Sequence, residues 1–152
     1  MVLGRSLNVH RYGRSARSLS LLHAGATFLG TERYDVVHCQ FGRLGLRALT
    51  LREIGALDGK LVVSFRGSDL SKDENAGAYH DLFRKGDVFL PVCEHFAKRL
   101  IGEGCPLSRV RVHRSGVRIS DLEFCERMGS GDGTTRLISI GRLIEKKGWR
   151  TL

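Results

Sequence analysis

No stretch of this 152-residue chain reaches the roughly 18 consecutive apolar residues that a membrane-spanning helix needs. The N-terminus, MVLGRSLNVHRYGR, has no apolar core run and no small-residue cleavage site, so no secretory signal is expected. None of the cysteines, Cys39, Cys93, Cys105 and Cys125, belongs to a C-x-x-C pair. That argues against a zinc ribbon or thioredoxin-type site and leaves free thiols in a reducing cytoplasm as the expectation. Acidic side chains are missing from residues 1–30. G-x-G-x-x-G, G-x-x-x-x-G-K-[ST] and G-x-S-x-G are all absent, so the usual dinucleotide, P-loop and nucleophile-elbow readings fail. There is no internal repeat.

What is present fits a soluble globular class, with 41% hydrophobic and 27% charged residues. The net charge of +9 favours polyanionic partners: nucleic acid, an anionic membrane surface or phosphorylated ligands. Part of it sits in residues 1–30, as Arg5, Arg11, Arg14 and Arg17. A solvated basic helix face and a membrane-surface contact both fit that stretch. Nucleic-acid binding rests on net charge alone, without an aromatic-interleaved basic patch, and is not expected.

Along the chain, Leu19, Leu22, Ala26 and Leu29 recur at helical spacing and predict an amphipathic helix over 14–29, ended by Gly30. Apolar runs predict buried strands at 35–39, 60–65, 87–92, 108–113 and 136–140. Between them lie helices at 44–57 (Leu46, Leu49, Ile54 and Leu57 inward), 78–86 and 93–104. The last turns Phe96, Leu100 and Ile101 inward and has Gly104 as its C-cap. Ser71 and Glu74 form a capping-box pattern, and the glycine-rich 125–135 reads as a linker. Strands alternating with helices imply a parallel α/β sheet with right-handed crossovers.

In such a sheet, ligands bind beyond the carboxyl ends of the strands. That edge collects His38, Gln40 and Gly42, then Arg66, Gly67 and Asp69, then Glu94, then Arg114, Ser115 and Gly116. The final group is Gly141, Arg142, Lys146 and Lys147. There a glycine permits close backbone approach, and the cations suit phosphate oxygens. A plain strand-to-helix turn with surface bases fits the same residues, with Trp149 as a core anchor of the following helix.

Four stretches in this order, YDVVHCQFG, LVVSFRGSDLS, DVFLPVCEHFAKRLIGEGCPLSRVRVHRSGV and LISIGRLIEKKG, carry a resemblance. The chain resembles retaining GT-B glycosyltransferases of the group-1 (family 4) type, which include colanic-acid and other exopolysaccharide enzymes. The resemblance implies two Rossmann-like domains, a nucleotide-sugar donor and a saccharide or lipid-linked acceptor. It also implies chemistry without a metal or other cofactor. On this reading residues 1–33 are a basic helical segment and 34–124 an acceptor-side domain lacking its first strand. Residues 125–135 are the linker, and 136–152 open a truncated donor-binding domain. Gly141, Arg142 and Lys147 then match the family's donor-diphosphate element. His38, Gln40, Gly42, Gly67, Asp69 and Glu94 would line the acceptor cleft.

Three departures stand out. Arg66 occupies the position of the family's histidine facing the reacting sugar, and arginine is no base near neutral pH. Arg118 stands where an aspartate is common, and Cys93 where serine is common. The expectation is a cytoplasmic piece of a longer transferase, inactive alone, with peripheral membrane contact through residues 1–30. The alternative is a non-catalytic basic binding module, or a subunit pairing with a separate donor domain.

Overall fold

A computed structural model describes residues 2–30, 33–67, 69–70, 77–126 and 133–151. The Ser71–Glu74 capping box, the middle of the expected linker and the Lys146 side chain lie outside the described residues. The chain forms two compact units, residues 1–116 and 117–152.

The larger unit is built on a parallel sheet of order β1-β2-β3, with β1 Val36–Cys39, β2 Lys60–Phe65 and β3 Val88–Pro91. Val37 pairs with Leu61, and Val63 with Phe89. Each connection runs through a helix, α5 (Gly42–Ile54) after β1 and α6 (His80–Lys85) after β2. This is a Rossmann-like alternation, and parallel strands need such crossovers because a tight turn cannot return the chain. Period two sends Leu61, Val63 and Phe65 to one face, where all three are buried. Both helices cover that face: Gly45 of α5 lies against Val63 and against Leu82 of α6. Behind them Phe65 meets Tyr79 edge-to-face at 5.4 Å, and Phe83 meets Phe89 likewise. Such aromatic pairs add about 0.5–1.5 kcal/mol each beyond their buried area.

The helix α7 (Glu94–Gly102) packs on β3 with Ala97 and Leu100 buried. Ile101, expected inward, is exposed, and Ala97 takes its place. Gly104, at φ +95°, ends the helix as expected: its N–H donates to Ile101 O while Cys105 N–H reaches back to Leu100 O. This is the left-handed glycine cap that satisfies the last carbonyls.

Two expected strands are corrected. Residues 108–113 do not form a full strand, because Leu107–Arg109 coil into a 3-10 turn first. What remains is one parallel bridge, Val110 to Phe89, with Arg111 N–H and His113 N–H donating to Phe89 O and Pro91 O. Residues 136–140 form no strand either. Among the described residues of 117–152 there is no second strand, so an extended segment there has no ladder to join. Ile138 is 85% exposed.

The expected helix over 14–29 is also corrected. That stretch instead holds two short helices, α3 (Arg14–Arg17) and α4 (Ser20–Ala26), preceded by α1 (Val2–Ser6) and α2 (Val9–Tyr12). Leu19 adopts a left-handed φ of 57°, which ends one helix and rotates the phase of the next. The buried residues become Ala16, Leu21 and Gly25, while Leu19, Ala26 and Leu29 are exposed. At Gly25 a Cβ would sit 3.2 Å from Ile54 Cδ1, so α4 docks on α5 through its glycine.

The opposite end of the sheet is tied by charge. Asp87, just before β3, accepts from Arg52 Nη1 at 2.8 Å and from Leu61 N–H at 2.8 Å. Arg52 also donates to Lys85 O, and Lys85 pairs with Glu53. Arg109 donates to the carbonyls of Phe83, Arg84 and Gly86. These groups hold the α6–β3 turn, away from the carboxyl edge of the sheet.

Candidate functional site

The carboxyl edge of β1 and β2 brings several predicted residues together. His38 sits near the end of β1 on the exposed side, and its Nε2 lies 2.8 Å from Ser64 Oγ of β2. Ser64 is buried, so this contact satisfies its hydroxyl. Gln40 follows β1 and is exposed. Gly42 opens α5 beneath the aromatic cluster: a Cβ there would lie 2.7 Å from both the Phe65 and Tyr79 rings. The glycine is what lets the helix start so close to the sheet.

Asp69 is buried. Burial pushes its carboxyl above the usual range, while backbone N–H groups of Arg66, Gly42 and Asp69 itself, and the charge of Arg43, oppose that rise. Its carboxylate thereby links the loop after β2 to the first turn of α5, where unpaired N–H groups favour an anion. Desolvation, followed by the Asp69 charge, raises the Tyr79 hydroxyl as well. Arg66 is exposed at the end of β2, and its backbone N–H donates to Asp69 Oδ2 at 3.5 Å. Gly67, at φ +116°, approaches the Phe96 ring.

At the next position along this edge, Glu94 opens α7 and lies 3.7 Å from Arg114, both well exposed. Surface pairs of this kind contribute little to stability. The edge therefore carries an imidazole, an amide, a buried carboxylate and two arginines, groups suited to hydroxyl-rich or anionic ligands.

Gly141, Arg142 and Lys147 meet in one loop of the 117–152 unit. Glu145–Lys147 form a single 3-10 turn, and Gly148 closes it at φ +70°. A Cβ on Gly141 would lie 3.2 Å from the Trp149 ring and 3.8 Å from Lys147 Cγ and Cδ. The Trp149 Nε1–H donates to Arg142 O at 2.6 Å. Trp149 thus folds back on the loop and holds Gly141, Arg142 and Lys147 as neighbours. Arg142 and Lys147 are exposed cations.

Sequence reasoning missed Ser64, Tyr79 and Arg43. A hydroxyl inside the apolar run LVVSF was the available signal for Ser64. Tyr79 and Arg43 gave none, since their roles depend on where Asp69 is buried. Among the described residues no group of histidine, cysteine and carboxylate side chains could hold a metal ion. No described helix is long and apolar enough to cross a membrane. All four cysteines are free, with Cys39 and Cys105 buried, Cys93 half-buried and Cys125 exposed.

No protein-family model matches the chain, and no solved structure does. Curated relatives do. The chain is 37% identical over 149 residues to the colanic acid biosynthesis glycosyltransferase WcaL of Escherichia coli K12. It is 38% identical to the protein of the same name in Salmonella typhimurium. The amylovoran biosynthesis glycosyltransferase AmsK of Erwinia amylovora is 31% identical over 148 residues. Each match covers 95% of this chain and 36% of the relative. The chain is therefore a homologue of colanic acid and amylovoran glycosyltransferases, and it spans about a third of their length.

Proposed function

We propose that these residues are part of a retaining GT-B glycosyltransferase that moves a sugar from a nucleotide-sugar donor to a saccharide or lipid-linked acceptor. Residues 34–124 serve the acceptor side, with His38, Gln40, Gly42, Gly67, Asp69 and Glu94 along the cleft. Residues 136–152 open the donor side after the 125–135 linker, and no metal takes part. The work is cytoplasmic, at the inner face of a membrane.

The observation that carries this reading is the loop in which Trp149 and Lys147 close on Gly141 beside Arg142. Cleaving a sugar–phosphate bond leaves negative charge on the departing nucleoside diphosphate. Fixed cations stabilise that charge as it develops, by about 3–4 kcal/mol for one well-placed group. Arg142 offers a planar fork and Lys147 a point charge. Arg66 holds a sugar hydroxyl or a phosphate, because it cannot take a proton.

The experiment is a chimera of WcaL in which this chain replaces the matching residues. Sugar transfer is expected, with Arg142→Ala or Lys147→Ala lowering kcat by roughly a hundredfold. A folded chimera without transfer overturns the reading. The 152-residue chain alone is expected to transfer no sugar, and transfer by it would refute its dependence on further polypeptide. Arg66 at the end of β2 favours the second reading, a non-catalytic subunit that pairs with a separate donor domain. Under that reading an Arg66→His chimera would be active where the parent is not.

A further inference from the structure

We propose that Asp69 is a positioning residue for sugar transfer: its carboxylate pins the turn after β2 to the start of α5 and so fixes the backbone that carries the Arg66 guanidinium. This rests on the transferase reading, and it gives Asp69 a role through Arg66 rather than against a ligand. Burial separates the two residues. Asp69 is 6% exposed, so a molecule in the cleft finds little of it to touch, whereas Arg66 stands in solvent. Arg66 has no carboxylate partner among the described residues. Its guanidinium is available to a ligand, while the Asp69 oxygens are engaged by backbone N–H groups. Oδ2 accepts from Arg66 N–H at 3.5 Å, and the carboxylate also meets the N–H groups of Gly42 and of Asp69 itself. Gly42 is the first residue of α5, where helix N–H groups have no partner inside the helix.

The backbone on either side of Arg66 is fixed. Before it, Phe65 is fully buried, and its carbonyl accepts from Val92 N–H at 3.1 Å. After it, Gly67 turns at φ +116°, its carbonyl accepts from Leu70 N–H at 3.1 Å, and Leu70 is buried. Asp69 closes this turn from the third residue after Arg66 and carries the same carboxylate across to α5. Loss of that carboxylate would leave the Arg66 and Gly42 N–H groups without this acceptor. An arginine side chain is long, so a fixed root matters to where its charge sits. A cation assists a reaction most when its place is set beforehand, and a displacement of about 1 Å can cost about a hundredfold in rate.

Two measurements test the role. The first is amide hydrogen exchange, read by NMR, on the 152-residue chain. Asp69→Ala should quicken exchange roughly tenfold at Arg66 and Gly42, the equivalent of one net hydrogen bond. Val63 in β2 and Leu51 in α5 should keep the parent's rates. Equal quickening at all four, or an unchanged rate at Arg66, overturns the proposal. Asp69→Asn keeps the shape and one acceptor oxygen, and it serves the same comparison, with a smaller effect, if the alanine variant does not fold. The second measurement uses the WcaL chimera. Asp69→Asn should lower kcat roughly tenfold or more with KM little changed. In an Arg66→Ala background the same change should lower kcat/KM no further, because Asp69 acts through the side chain already removed. Additive losses would mean that Asp69 touches the ligand or serves the fold alone, and they overturn the proposal while the transferase reading stands. A folded parent chimera without transfer overturns that reading, and this role with it.

Discussion

His38 and Ser64 join the first two strands through their side chains, with Nε2 2.8 Å from Oγ. The hydroxyl is buried and the imidazole exposed, so the contact seals a polar atom while leaving His38 open to solvent at the carboxyl edge of the sheet. Ser64→Ala should lower unfolding stability by about 1 kcal/mol, the usual net value of one such hydrogen bond. A double-mutant cycle with His38→Leu, followed by urea unfolding, should return a coupling energy of about 0.5–1.5 kcal/mol. A zero coupling would mean that the pair does not interact in solution.

Gly42 is held by the rings above it. Gly42→Ala puts a methyl 2.7 Å from Phe65 and Tyr79. Ring carbons fixed in a packed cluster give way poorly, and the substitution should cost about 1–3 kcal/mol. Thermal or urea unfolding measures it. An unchanged midpoint would show that α5 starts farther from the sheet.

Asp87 makes the fold sensitive to acid. Burial opposes its ionisation, but the Leu61 N–H, the Arg52 hydrogen bond and the charges of Arg52 and Arg109 outweigh burial and hold its carboxyl below the usual range. Unfolding restores an ordinary value of about 3.9. The stabilisation is therefore present above that value and is lost as pH falls through the depressed folded pKa. Asp87→Asn should cost about 1–2 kcal/mol at neutral pH, a figure reduced for solvent screening of this part-exposed pair. The gap between parent and variant should narrow below about pH 4, as urea midpoints across pH would record.

The thiols should separate by burial. Cys105 is buried, and desolvation pushes its thiol up to about 12 despite the nearby Arg109 charge. Burial raises the Cys39 thiol too. The thiolate is the reactive form, so Cys125 should react first with a disulfide reagent, and Cys39 and Cys105 only on unfolding. Mass mapping after brief labelling gives the order. Early modification of Cys105 would refute the packing around α7.

Much of the architecture was legible in the residues. Short apolar runs at 35–39, 60–65 and 87–92 became β1, β2 and β3, and Gly104 ended α7 as expected, whereas α5 stops at Ile54 because Gly55, inside the expected 44–57 helix, takes a left-handed φ of 80°. These features follow from local chemistry: buried parallel strands read as continuous apolar runs, and a left-handed turn favours glycine. The edge where polar residues gather, with His38, Gln40, Arg66, Asp69 and Glu94, likewise follows once a parallel sheet is inferred.

Periodicity failed where partners decide the outcome. RLISI has strand composition, yet a strand exists only with a neighbour to complete its ladder. The pattern of 14–29 fits one helix, but Leu19 breaks it, and α4 then docks through Gly25 on Ile54. The network of Arg52, Asp87 and Arg109 joins residues far apart in the chain, which no spacing rule links. Thus the sequence alone determined the alternation of strands and helices, the excess of positive charge and the order of the motifs, because each depends on near neighbours. Only the tertiary structure decided which arginines are bound and which are free. It also decided that Asp69 is buried against α5 and that Ser64 meets His38, because burial and pairing are properties of packed surfaces.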